Sequence, residues 1–339
     1  GLALALRTGQ ADVRARLQSA IALAVGVVPL RALSKPLMRG ALATARGIDD
    51  PATVGLGLEL AALHAFALGR WSEARAHIHE ALGRYETLGD RHRTLELRST
   101  LAAVAYTRGQ FAAAAALFVD LAHDAAAAGN TRARSWAELG HALVAFRTGD
   151  TARGLALLGS RRAATLQPLA RLHLGEPREA LEALPAALAL ARGRPIKCWT
   201  LERFALPAEV ALALREADLD LTGAERARLA RLEREALRAA RRFARVFPIG
   251  APREAHLRGL SHWLDGRPGR ARRAWGEALA AAQKLEMPWD EARVRLDLGR
   301  HGVNGSTEQA DHLDRAATLL EELGAFDDRG DDRRVPSRR

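Results

Sequence analysis

The sequence predicts an all-α fold, an antiparallel helix-pair solenoid, from three observations. Of the 339 residues, 48% are hydrophobic but only 5% are aromatic, which favours closely packed helices over sheet. Apolar residues keep helical spacing, as in Leu58, Ala61, Ala62 and Ala65. A glycine-led turn recurs along the chain. At this length a repeated array is the natural alternative to two globular domains.

The first three turn glycines are Gly69, Gly109 and Gly149, each 40 residues after the last. Glycine supplies the left-handed backbone that ends a helix. A small residue follows five positions later, Ala74 after the first glycine and Ala114 after the second. Small residues there let the second helix of a pair approach the first closely, so each glycine is predicted to mark a helix-helix corner.

Two further turns begin at Gly175 and Gly266 and place Pro177 and Pro268 in the first turn of the next helix, where proline is well tolerated. A third such alanine, Ala271, follows Gly266. The predicted helix pairs are apolar on two sides. Such a pair cannot bury itself alone and must stack on neighbours, as in a solenoid.

The residues around the first turn resemble the second half of a tetratricopeptide repeat. Glycine, an aromatic, alanine, a large residue and Ala-Leu recur there as Gly69, Trp71, Ala74, Ile78 and Ala81-Leu82. The spacing of 40 departs from the 34 residues usual in that family. At the third turn, Gly154 stands where the family has alanine. The resemblance implies a tetratricopeptide-like array that binds proteins.

The C-terminal part resembles the helical tail behind an ATPase module in bacterial adenylate cyclases and Ser/Thr protein kinases. The segments that carry this resemblance are Met287-Pro288-Trp289, Leu298-Gly299-Arg300-His301 and Leu323-Gly324-Ala325. It implies a non-catalytic, regulatory region of a bacterial signal-transduction protein. One alternative is the C-terminal part of a cyclase or kinase whose catalytic domain is not in this chain, and a second is a nucleic-acid-associated transcriptional regulator.

The sequence divides into five predicted segments. Residues 1–48 are N-terminal helices expected to continue from an upstream part, because Gly1 stands where an initiator methionine would. Residues 49–197 form the regular array, 198–250 a longer helix pair with an arginine-rich face, and 251–325 a C-terminal repeat with capping helices. Residues 326–339 mix acidic and basic residues without apolar spacing, which predicts a disordered tail.

Catalytic, cofactor-binding and metal-ligating residues are all predicted to be absent, so the chain is expected not to be an enzyme. None of the lysines, Lys35, Lys197 and Lys284, has the phosphate-binding context of a P-loop. His77-Ile78-His79-Glu80 lacks the i, i+4 histidine spacing of a zinc site, and polar positions on an exposed helix are expected instead. The one cysteine, Cys198, is read as a small core thiol in a cytoplasmic protein.

Two surfaces are candidates for a protein or peptide partner, or for another domain of the same polypeptide. Aromatic residues stand three positions before four turn glycines and either line a concave groove or pack between the hairpins: Phe66, Tyr106, Phe146 and Trp263. The alternative is a basic helix face of five arginines at helical spacing: Arg231, Arg234, Arg238, Arg241 and Arg245. Acidic residues interleave with these arginines, which favours a solvated face. The aromatics are therefore expected to matter more, nucleic acid is disfavoured despite the net charge of +11, and no membrane insertion is expected.

Overall fold

The computed structural model describes residues 11–27, 31–48, 50–158, 163–217, 219–302 and 306–326. Within those ranges the backbone forms sixteen α-helices and three short 3-10 helices, with no strand. The predicted all-α fold is confirmed. None of these helices is both long enough and apolar enough to span a membrane.

The helices are numbered α1 to α16 in chain order. Their bounds are α1 Ala11–Val27, α2 Arg31–Arg46, α3 Pro51–Ala67, α4 Trp71–Thr87, α5 Arg91–Thr107, α6 Phe111–Ala127, α7 Thr131–Arg147, α8 Thr151–Leu157, α9 Gln167–His173, α10 Pro177–Leu190, α11 Leu201–Glu216, α12 Gly223–Val246, α13 Ala251–Leu264, α14 Pro268–Lys284, α15 Pro288–Arg300 and α16 Thr307–Leu323. The 3-10 helices are Ala163–Thr165, Cys198–Thr200 and Pro248–Gly250.

The described residues cluster into two compact units. Within the described ranges, the first unit draws on residues 11–104, 116–137 and 246–248, and the second on 105–115, 138–245 and 249–326. Helices α5, α6 and α7 each contribute residues to both units.

Helices α3 to α7 are all 17 residues long, and three-residue turns join them to one another and join α7 to α8. Every one of these turns holds a glycine with positive φ, and together these are Gly69, Gly89, Gly109, Gly129 and Gly149. Two helices and two turns account for the 40-residue repeat. Compared with a 34-residue repeat, each helix is longer by about one turn. The same backbone occurs at Gly175 and Gly266, so the predicted helix-helix corners are confirmed.

In the first unit, α3 and α4 form an antiparallel pair. Phe66 near the end of α3 contacts Trp71 at the start of α4, with ring centroids 6.0 Å apart. At the other end, a Cβ placed on Gly55 would lie 2.9 Å from the ring of Tyr85, so glycine allows the close approach. Asp50 caps α3 by accepting from the N–H groups of Ala52 and Thr53.

In the second unit, α13 and α14 pair in the same way around Gly266. Ala271 and Trp275 are fully buried at the contact. Trp275 packs against the backbone of Gly259, where a Cβ would collide with its indole ring. The alanines predicted at close helix contacts, Ala74, Ala114 and Ala271, all have zero exposure, which confirms that part of the repeat register.

The last described residue, Phe326, belongs to the second unit. Its N–H donates to the carbonyl of Arg147 at 2.9 Å, and its ring lies against Gly149. The rest of the predicted tail, residues 327–339, lies outside the described residues.

Candidate binding surface

Two of the four predicted groove aromatics are core residues. Phe66 has no exposed surface and packs on Trp71, and Phe146 is 2% exposed and packs on His173 with ring centroids 5.2 Å apart. Gly154 lies under the Phe146 ring, where a Cβ would come within 2.9 Å. This close approach explains why glycine stands at Gly154 instead of the alanine expected there.

Tyr106 and Trp263 are half-buried. The Tyr106 hydroxyl donates to Glu202 at 3.0 Å. Trp263 stacks on His301 at a centroid distance of 4.2 Å and contacts Trp275 at 6.0 Å. The four aromatics thus do not share one accessible surface, and the groove prediction stands only for Tyr106 and Trp263.

A buried ionic cluster in the second unit was not predicted from the sequence. It consists of three arginines and three carboxylates, which are Arg147, Arg253, Arg293, Glu202, Glu209 and Asp290. Arg147 Nη1 contacts Glu209 at 2.7 Å, Arg253 Nε donates to Asp290 at 2.6 Å, and Arg293 Nη1 lies 3.0 Å from Glu209. All three guanidiniums also lie within 4.8 Å of the Trp289 ring centroid.

The charges of this cluster balance one another. Burial by itself raises the pKa of Glu209, but attraction to Arg147, Arg293 and Arg253 outweighs it and holds the pKa well below the ordinary value. Every member is nearly inaccessible to solvent. The cluster therefore links helices α7, α11, α13 and α15 in the interior of the second unit.

A buried serine and histidine in the first unit are as close as a catalytic nucleophile and its base. However, the histidine carries its proton on the nitrogen that faces the serine. The Ser34 hydroxyl lies 2.8 Å from His64 Nε2, and Arg70 Nη2 lies 2.8 Å from Nδ1. Because a guanidinium can only donate, Nδ1 must accept, and the proton of the neutral ring is on Nε2. That Nε2–H points at the serine, so His64 cannot take the serine proton.

The cysteine and the histidine cluster singled out in the sequence are Cys198 and His77-Ile78-His79-Glu80. Cys198 is buried, and burial raises the pKa of its thiol to about 12, so the reactive thiolate does not form at neutral pH. This confirms the core-thiol interpretation. His77 is half-buried beside Glu73, whereas His79 is exposed, and Glu80 pairs with Arg46. Among the described residues no cluster of histidine, cysteine and carboxylate groups has the arrangement of a metal site.

Helix α12 carries the predicted basic face. The five arginines of that face are all exposed, and they are Arg231, Arg234, Arg238, Arg241 and Arg245. They lie opposite the buried side of the helix, which includes Leu229, Leu232, Ala236 and Phe243. Burial of that apolar side forces the arginines outward. They span about 21 Å of helix axis at 1.5 Å per residue.

The start of α12 is fixed by a capping box. Thr222 Oγ1 accepts from the N–H of Glu225, and the Glu225 carboxylate accepts from the N–H of Thr222 at 2.8 Å. Backbone and hydroxyl hydrogen bonds from Thr222 lower the pKa of Glu225, as does the nearby charge of Arg178.

The interleaved glutamates of α12 pair with arginines outside the helix. Glu225 pairs with Arg178 at 3.1 Å, and Glu235 pairs with Arg192 at 3.1 Å. Glu233 is buried and pairs with Arg215 at 3.2 Å. None of these three ion pairs involves an arginine of the predicted basic face.

The four arginines Arg231, Arg234, Arg238 and Arg241 form no ion pair with any residue that the structure describes. These side chains make the exposed face of α12 a surface of one charge sign. We call these four arginines together with Arg245 the arginine face.

A cleft of about 490 Å³ adjoins the arginine face. Its apolar lining comes from the end of α11, the following loop and α12, and includes Leu214, Leu221, Leu229 and Leu237. Arg226 and Arg234, both exposed, stand at its rim.

Comparison with known proteins gives little sequence information. No protein-family model and no curated protein matches the chain. Among solved structures, the TPR domain of P58(IPK) is similar at 15% sequence identity and a TM-score of 0.20, with 90% of this chain and 98% of that chain covered. The all-α fold of repeated antiparallel helix pairs rests on the chain's own helices and turns.

Proposed function

We propose that the chain is a binding module that holds an acidic segment of another protein, or of another domain, against the arginine face. The observation that carries this proposal is four exposed guanidiniums in line on one helix that form no ion pair with the described part of the chain. Such a surface attracts anions over a long range and accelerates their encounter. Arginine also binds carboxylates through two parallel hydrogen bonds.

A protein partner fits this face better than a nucleic acid. The aromatic residue of α12 is Phe243, and it is buried, so the face has no ring on which a base could stack. The burial of Phe66 and Phe146 moves our preference from the aromatic groove to the arginine face.

The proposed role is regulatory binding in a bacterial signalling protein, with no chemistry on this chain. The protonated Cys198 and the tautomer of His64 support the non-catalytic part of this proposal. If a cyclase or kinase domain precedes the chain, the acidic segment belongs to that domain, and its docking would control the domain's activity.

Binding to two probes tests the proposal. We expect a labelled polyglutamate peptide to bind at low salt and to dissociate as salt rises. Replacing Arg234, Arg238 and Arg241 with glutamine should weaken binding about tenfold, at about 0.5 kcal/mol per exposed ion pair. Fluorescence anisotropy measures the affinity.

The matched control removes the same charge from α14. Arg270, Arg272 and Arg273 are exposed, and their replacement by glutamine should leave the affinity almost unchanged. Equal loss in both triple variants would show that only net charge matters. Tighter binding of a single-stranded oligonucleotide, lost in the α12 variant, would favour the nucleic-acid alternative.

A further inference from the structure

The cleft beside α12 combines an apolar lining with a positive rim. Leu214, Leu221 and Leu229 are buried at its base, and Leu237 is half-buried on its wall. Its volume of about 490 Å³ exceeds that of one large side chain. An apolar group that enters it would displace water from the exposed parts of Leu237 and of Leu219, which is also half-buried.

The buried charges of the cleft are satisfied within the protein. Glu233 accepts from Arg215 at 3.2 Å and from the Ser261 hydroxyl at 2.8 Å. Arg215 also donates to the carbonyl of Leu264 at 2.9 Å and to Asp265 at 2.8 Å. These groups stabilise the cleft walls, so a ligand need not supply a partner for them.

Asp265 is exposed and also lines the cleft, but it pairs with two arginines outside α12, so the charge left at the rim is positive. Arg226 donates to the carbonyl of Leu221 at 3.3 Å, which leaves its charge uncompensated, and Arg234 forms no ion pair with the residues that the structure describes. An occupant with an apolar group and a neighbouring carboxylate complements this arrangement.

Arg234 belongs to both the cleft and the arginine face. Ala230 and Leu237, which line the cleft, lie one helical turn before and after it. A chain that follows the arginines therefore passes the mouth of the cleft.

We infer that the acidic partner carries a leucine-sized apolar residue next to its carboxylates, and that this residue enters the cleft as an anchor. This inference rests on the proposed function, since the same partner occupies both sites. The arginine face sets the rate and salt dependence of association, and the cleft sets how long the complex lasts.

Two labelled peptides of equal charge test the inference. One alternates glutamate with alanine and has a single central leucine, and the other has alanine at that position. We expect the leucine peptide to bind at least about tenfold more tightly, as burial of a leucine side chain predicts.

Filling the cleft should remove that difference. Ala230 lines the cleft, and Ala230→Phe should make the two peptides bind equally. Ala227 is exposed on the same helix outside the cleft, so Ala227→Phe should keep the leucine preference. Circular dichroism confirms that both variants remain helical, and Leu237→Gln gives a second reading with little added bulk.

The outcomes separate the inference from the proposed function. One outcome is that the two peptides bind the unmodified protein equally and that the variant at Arg234, Arg238 and Arg241 binds both less tightly. It would overturn the cleft as the anchor site and retain the arginine face as the binding surface. Failure of both peptides to bind would overturn both. A leucine preference that survives Ala230→Phe and Leu237→Gln would place the anchor elsewhere and overturn the inference.

Discussion

The imidazole of His64 is enclosed by groups that favour its neutral form. Burial lowers its pKa to about 4, with a further contribution from the positive charge of Arg70. The Nε2–H of His64 donates to the Ser34 hydroxyl, and Nδ1 accepts from Arg70. Each ring nitrogen therefore has a hydrogen bond only while the ring is neutral. Protonation in the folded state would set a second N–H against the Arg70 guanidinium.

We therefore expect the first unit to lose stability on acidification. An unfolded histidine has a pKa of 6.5, so between pH 6.5 and 4 the unfolded chain binds a proton that the folded chain excludes. Stability falls as pH falls through this window, by about 3 kcal/mol in total. Urea denaturation at a series of pH values measures the change.

Glutamine at this position cannot titrate, so His64→Gln should flatten the dependence between these pH values. His123, an exposed histidine of the same unit, provides the control, and His123→Gln should keep the full slope. An undiminished slope in His64→Gln would mean that another group is responsible.

At the scale of single elements, the turns are the most predictable feature of this fold. Gly69, Gly109 and Gly149 act through local backbone conformation, so their spacing alone fixed the helix corners. The direction of Glu233 and Glu235 on α12 was not predictable, since their partners, Arg215 and Arg192, lie on segments far along the chain. The arginine face was visible in the sequence as a pattern. That its neighbouring acids pair with other arginines became known only from the packing of the helices.

Two helical glycines provide a matched test of the α13–α14 pair. A Cβ on Gly259 would collide with the buried Trp275 ring, whereas a Cβ on Gly276 meets nothing within 4 Å. Gly259→Ala should cost about 1–3 kcal/mol of unfolding free energy through overpacking. Gly276→Ala should stabilise by up to about 1 kcal/mol, because alanine is the better helix former.

Thermal denaturation of the two variants shows whether each substitution raises or lowers the stability. A stabilising effect of Gly259→Ala would show that the indole can move, and the close contact of α13 with α14 would then be wrong.

At the scale of the whole molecule, the cores of the two units contain different buried polar groups. The second unit contains the ionic cluster around Trp289, with members from helices α7, α11, α13 and α15. No local sequence signal announces it, because Arg147 and Glu202 are 55 positions apart and Arg253 and Asp290 are 37 apart. From the sequence alone, each of these arginines is expected at the surface, because its buried partner lies far away in the chain.

Such a cluster is sensitive to the loss of a single member. Arg253→Met would leave Asp290 without its buried partner and remove one of the two arginines that pair with Glu202, which should cost about 3–5 kcal/mol of unfolding free energy. Arg258 lies on the same helix and pairs with Glu254 and Glu277 near the surface, so Arg258→Met should cost no more than about 1 kcal/mol. Because the cluster connects four helices, amide hydrogen exchange in Arg253→Met should accelerate in α7, α11 and α15 as well as in α13. Acceleration confined to α13, or an equal small loss in both variants, would mean that the helices are held by apolar packing and that the ions merely fill the space between them.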